Sequence, residues 1–248
     1  ARAPGESEPD LDAGPTPPAD ADAGPDGGAD DAAARKRADG ALAAAREALS
    51  RGDLATAVGM LEVARVAYDE LGDPVGVGNA LLEQGKMTAA VGRPDLAVEI
   101  YGAAIERYEK RAVAPGDRGS EARARLADAE HLAGMALEEI GQLDAAVERY
   151  ERALELTRAT RGDDDRMTAI REDHLGLTLA AAGRAEEALA HHDAAIALFA
   201  AAAGPEHADT LTARLNRTIA LAAAGRRDEA IGALTDLLPA VERTFGAD

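Results

Sequence analysis

The chain has no cysteine and no tryptophan, and only two phenylalanines and four tyrosines among its 248 residues. Without cysteine there is no disulfide scaffold, no thiolate catalysis and no cysteine-ligated zinc. With aromatics at 2%, the core must be filled mainly by Ala, Leu, Val and Ile. Basic residues are also few, 27 against 46 acidic ones, giving a formal net charge of −19. That sign excludes free nucleic acid or an anionic membrane as the main partner, because both reward basic patches. No apolar run approaches the roughly 18 residues a bilayer span needs. The chain opens on Ala1 rather than Met, without the charged-then-apolar pattern of a signal peptide. It reads as a fragment, or as a chain whose start is missing. The 46% of residues that are hydrophobic suffice to build a core.

Residues 1–31 stand apart, holding six of the eleven prolines, five glycines and nine acidic residues against one Arg. Leu11 is the one large apolar side chain in this stretch, so it cannot bury enough surface to offset chain entropy. It reads as a disordered acidic tail or interdomain linker.

The rest repeats. Gly52, Gly92, Gly141, Gly183 and Gly225 each precede a short polar turn and an Ala five residues on, at spacings of 40, 49, 42 and 42. Gly162, Gly204 and Gly246 form a second register with the period of 42. A period of this size means stacked supersecondary units. Within a unit the apolar period is helical on both sides of the Gly. Ala188, Leu189, His192, Ala195, Ile196 and Phe199 recur at steps of three and four after Gly183, with Leu175 and Leu179 before it. Gly suits the left-handed cap ending one helix, and Pro94 falls where the next can accept it. Nothing alternates with period two. The fold is expected to be all-α, in five antiparallel helical hairpins at about residues 36–71, 75–111, 119–160, 164–202 and 207–245.

Small residues recur seven before each turn Gly (Ala45, Gly85, Gly134, Gly176, Thr218) and five after it (Ala57, Ala97, Ala146, Ala188, Ala230). Twelve after it stand Ala64, Ala104, Ala153 and Ala195, then Leu237. A missing side chain lets two helices approach closely, and larger residues such as Leu137 and Tyr150 fill the gap beside it. This pattern over residues 32–248 resembles the tetratricopeptide repeat (TPR) family, in the long subgroup of 40–42-residue repeats that includes kinesin light chain-like and bacterial sensor arrays. The resemblance implies a right-handed superhelical solenoid. The last residues, FGAD, look like the opening of a further repeat, so the array is either cut there or lacks a polar cap. The seven extra residues between the second and third units, within EKRAVAPGDRGS, read as a longer loop whose edge (residues 109–119) offers a second contact surface. Pro239 is expected to interrupt the last helix.

Catalytic patterns are absent: no HExxH, GxxxxGK[ST], GxSxG or GxGxxG. No metal or cofactor is expected. Asp163–Asp165 lack the alternating spacing of a calcium loop and suit a helix start. His192 takes an inward position and is expected to be buried and hydrogen-bonded.

In the TPR family the first helices of the units form a concave groove, and the positions that face it there carry over to Asn79, Glu83, Lys86, His131, Met135, Asp173, His174, Leu177 and Asn216. Glu83 and Asp128 put negative charge where the chaperone-binding subtype needs cations, so a C-terminal carboxylate is not the ligand. Asn216 matches the amide with which long-repeat members hold an extended backbone. His131, Asp173 and His174 are expected to cluster, making binding sensitive to pH. The resemblance thus implies a non-catalytic scaffold binding a peptide or helix with apolar anchors and some basic residues, from another protein or another domain of the same parent chain. The alternative is a C-terminal sensor or autoinhibitory domain of a bacterial signalling regulator, a signal-transduction ATPase or transcription activator. An enzyme built on Asp173, His174 and His131 ranks far below. The Ala-, Gly- and Arg-rich composition suits a cytoplasmic bacterial protein, and an uncapped fifth unit suits a homodimer.

Overall fold

A computed structural model describes residues 27–246. Most of the acidic segment lies outside the described residues. Its end does not: α1 already begins at Gly27, so the boundary expected at residue 31 falls inside a helix. The Ala-rich run that follows propagates the helix toward the N-terminus.

Ten helices follow in order: α1 Gly27–Ser50, α2 Leu54–Glu70, α3 Pro74–Ala90, α4 Pro94–Ala112, α5 Asp117–Glu139, α6 Leu143–Arg161, α7 Arg166–Ala181, α8 Ala185–Ala203, α9 Ala208–Ala223 and α10 Arg227–Phe245. Among the described residues there is no strand. Consecutive helices pack as five hairpins, and each hairpin stacks on the next in a tetratricopeptide-type superhelix. The five turn glycines take φ between 75° and 82°. The residue after each donates its N–H back across the turn, as Asp53 does to Ala48 at 2.9 Å and Arg184 to Leu179 at 2.8 Å. A glycine there satisfies the last carbonyls of one helix at no steric cost and reverses the chain.

Two local expectations are corrected. The extra residues of the third unit lengthen α5 to 23 residues, against 16 for α7 and α9, instead of forming a long loop. Gly116, at φ 74°, ends the short connection, and the polar, Ala- and Arg-containing run after it is helix-forming. Pro239 does not break α10, which runs through it to Phe245. Its missing N–H leaves one carbonyl without an intrahelical partner, and Pro239 lies on the exposed side, where water can serve that oxygen.

All four tyrosines are buried against glycines. A Cβ added to Gly85 would lie 2.4 Å from the Tyr101 ring, one on Gly134 2.9 Å from Tyr150, one on Gly78 2.6 Å from Tyr108 and one on Gly76 2.1 Å from Tyr68. In the fourth unit His192 takes the place of the tyrosine, 2.8 Å from a Cβ on Gly176. Each ring therefore packs directly against a helix backbone, taking the space a side chain would occupy. First helices of successive units also touch, α1 with α3, α3 with α5 and α7 with α9, while no pair of second helices comes comparably close. The array curves toward its first helices, which line the inner face.

Gly85→Ala and Gly102→Ala should shift stability in opposite directions. Gly102 has open space around its Cα, so alanine there should add about 0.5–1 kcal/mol through helix propensity. At Gly85 the Tyr101 ring must move, and the overpacking cost of roughly 1–3 kcal/mol outweighs that gain. Paired thermal melts followed by circular dichroism check the sign.

Candidate functional site

The groove residues named from the sequence lie on the first helices: Asn79, Glu83 and Lys86 on α3, His131 and Met135 on α5, Asp173, His174 and Leu177 on α7, and Asn216 on α9. The structure separates them into three groups.

The first group is tied up within the fold. Asn79 accepts a hydrogen bond from the Tyr108 hydroxyl at 2.9 Å. Glu83 accepts one from Arg46 Nε at 2.9 Å and lies 3.5 Å from Lys86 Nζ. A hollow of about 560 Å³ sits near this end, bordered by Arg35, Asp39, Asp73 and Asn79. Most of its polar groups already hold one another, Arg35 with Asp73 at 2.7 Å and the Tyr68 hydroxyl with Asp39 at 2.6 Å.

The second group corrects an expectation. Asp173 does not join His131 and His174. It is buried, with Oδ1 2.8 Å from His192 Nδ1, while Oδ2 accepts from Asn216 Nδ2 at 2.8 Å. Asn216 therefore gives its amide donor to the neighbouring unit rather than holding it out to a ligand backbone. On a helix, Asp173 and His174 point about 100° apart, so only one can face the groove. His192 is buried and hydrogen-bonded as expected.

The third group is open. α5 and α7 do not approach as closely as the other successive first helices, and side chains bridge the space between them. Arg171 Nη2 donates to Asp128 at 2.7 Å and its Nε to Thr157 Oγ1 at 2.6 Å. Thr178 and Tyr150 donate to Glu138 Oε2 at 3.3 and 3.1 Å. The His131 ring stacks obliquely on His174, centroids 4.9 Å apart, and on Tyr150 at 5.1 Å. In front of these rings lies a cup of about 280 Å³ lined by Met135, Glu138, Glu139, Tyr150, His174 and Leu177. Met135 is 45% exposed, a large apolar side chain presented on the inner face. The cup has apolar walls and a carboxylate rim.

Burial, with the Arg171 guanidinium and His174 nearby, holds the His131 imidazole down at about 3. Burial also lowers His174, against the opposing pull of Asp173 and Glu138. Both shifts favour the neutral imidazole. Arg171 was not among the residues singled out from the sequence, and Tyr150 was expected only to fill the gap between helices. One signal for Arg171 was available: the pairs Asp128–Arg171, Arg166–Asp209 and Asp173–Asn216 all span 43 residues, one long repeat plus one. Among the described residues no group of three or more His, Asp or Glu side chains is placed to hold a metal ion, and no helix is long and apolar enough to cross a membrane.

Stacked hairpins with an inner face built by the first helices define the class: an α-solenoid with the tetratricopeptide-repeat type of fold. The tetratricopeptide repeat family model matches residues 166–243, the helices α7 to α10. Among solved structures, the chain is similar to a Podosopora anserina kinesin light chain-type protein of nearly identical TPR-like repeats, at 20% identity, covering 85% of this chain and 97% of that one with a TM-score of 0.69. BtubC (BKLC) from P. vanneervenii is similar at 16% identity over 87% and 94% of the two chains, TM-score 0.61. Aspartyl phosphate phosphatase F from Bacillus subtilis is similar at 13% identity, TM-score 0.63, over 88% of this chain but 54% of its own. No curated protein matches the sequence. At these identities the likeness is one of fold.

Two outcomes follow from the geometry. Asp173→Ala should cost roughly 2–4 kcal/mol of stability, because it leaves buried His192 and Asn216 without their partner, and denaturant melts measure it. Second, His131 has a folded-state value below its ordinary 6.5, so unfolded chains bind the extra proton between those values. Stability is full above about 6.5 and should fall by up to about 1.4 kcal/mol per pH unit per histidine as pH drops toward 5. His131→Phe should flatten that slope in melts taken between pH 7 and pH 5.

Proposed function

We propose that the chain is a non-enzymatic module whose inner face holds a peptide or helix of a partner protein, with the contact centred on the α5–α7 cup. The observation that carries this reading is the exposed Met135 beside Leu177, in a hollow rimmed by Glu138 and Glu139. Met is flexible and polarisable and accommodates varied apolar side chains. An apolar anchor entering the cup packs on Met135, Leu177 and the Tyr150 edge, and a flanking Lys or Arg meets exposed Glu139. The net charge of −19 draws basic segments toward the same face. Lys86, exposed on α3, lies farther along the inner face and contacts an extended ligand at its other end. Asn79, Glu83, Asp173 and Asn216 contribute by fixing the groove, and His131 by backing the His174 ring.

A second reading has one observation in its favour. The phosphatase F likeness covers only 54% of that protein, so the same solenoid occurs there within a longer chain. On that reading the groove is filled by another domain of the parent chain, and the array is the sensor or autoinhibitory part of a bacterial regulator in the cytoplasm.

Selection of dodecapeptides displayed on phage against the chain tests the proposal. Enriched peptides should pair an aliphatic or aromatic residue with a nearby Lys or Arg. Met135→Glu and Glu139→Lys, both at exposed positions, should each weaken a selected peptide at least tenfold, about 1.4 kcal/mol, with helicity unchanged. Enrichment without that pattern, or binding untouched by both substitutions, contradicts it.

A further inference from the structure

In the second, third and fourth units the second helix carries three residues that are buried, wholly or in part, on the side of the next unit. They stand six, nine and thirteen positions after the turn Gly. In the third unit they are Val147, Tyr150 and Leu154, all under 5% exposed and packed with Leu175 and Leu179 of α7. In the second unit Tyr101 and Ile105 lie in one cluster with Leu126, Ala129 and Ala133 of α5. In the fourth, Leu189 packs with Leu221 of α9, and His192 is fully buried. In the fifth unit the same positions are Ile231, Leu234 and Leu238, and they are 63%, 44% and 54% exposed. Phe245, 54% exposed, continues the stripe seven residues on. Steps of three, four and seven put all four on one face of α10. Among the described residues no helix covers that face.

The two charges on the stripe indicate what does. Arg227 stands at its start and Glu242 near its end, and neither has an ionic partner among the described residues, although their neighbours Arg226 and Arg243 are paired with Glu229 and Glu206. A stripe with a lone cation at one end and a lone anion at the other is its own complement when a second copy lies antiparallel. About a two-fold axis between Leu234 and Leu238, these leucines meet their counterparts, and each Arg227 comes within about a turn of the other copy's Glu242. We infer that α10 is a homodimer interface, closed by antiparallel packing of α10 against α10 of a second copy. The groove lies on the first helices and stays open in both copies, so the dimer presents two cups to a multivalent partner. This inference does not depend on what the cups bind.

Light scattering coupled to size exclusion, run on the full chain at roughly tens of micromolar, reads the result directly. The wild type should elute at twice the 25.5 kDa chain mass. Leu234→Glu/Leu238→Glu should elute at the single-chain mass with an unchanged far-ultraviolet spectrum. Arg227→Glu and Glu242→Arg, which touch only exposed charges, should each weaken association alone. Mixing the two variants should restore it, because both crossed contacts then pair opposite charges. A single-chain mass for the wild type overturns the proposal. So does a dimer that survives the leucine substitutions, or one whose two charge variants fail to complement on mixing.

Discussion

The structure depends on a ring laid on a glycine. In a chain with so few aromatics, every tyrosine sits where the facing helix has no side chain at all. The contact does two things. It adds bulk to a core otherwise made mainly of Ala and Leu, and it brings helix axes close enough for the tyrosine hydroxyl to reach an acceptor on a first helix. Tyr68, Tyr108 and Tyr150 reach Asp39, Asn79 and Glu138 in this way. The ring thus belongs to the core at one end and to the binding face at the other. Where His192 replaces the tyrosine, the polar end turns to Asp173 instead, and Asn216 of the next unit is drawn into the same bond network.

That substitution shapes the site. The second half of the array locks its first helices together with side chains one period apart, and buries Arg171 and Asp173 to do so. Buried charges of this kind contribute little net stability but penalise any other register strongly. Between α5 and α7 the clamps hold the helices at a distance, and the space between them is the cup. The exposed apolar side chains there are therefore a consequence of the packing geometry, and their chemistry follows from which residues remain unpaired: Met135, Leu177 and Glu139.

The fold was legible in the sequence because its determinants are local and periodic. Turn glycines, small residues at fixed offsets and helical apolar spacing each encode a contact that recurs along the array. The departures came where a residue's role depends on a non-repeating neighbour. Gly116 decides that the third unit's insertion becomes helix, and Pro239 is accommodated because its face is exposed. The site was legible only in part. Sequence register put the nine side chains on first helices, but it could not tell a free amide from one already bonded to the next unit, nor that Asp173 turns into the core. Asp173 and Asn216 look like recognition residues in the repeat pattern, and their 43-residue spacing is the feature that marks them as partners. Arg171 was missed because a buried arginine has no apolar signature.

The central claim is that ligands enter the cup beside Met135. The chain has four methionines, Met60, Met87, Met135 and Met167, and Met135 alone is exposed in the cup. Their labelled methyl groups, followed by NMR during titration with an apolar–basic peptide, give one reporter at the site and three away from it. The account predicts that the Met135 methyl shifts and saturates while those of Met60 and Met167 hold still. A saturating titration that leaves Met135 unmoved would contradict it.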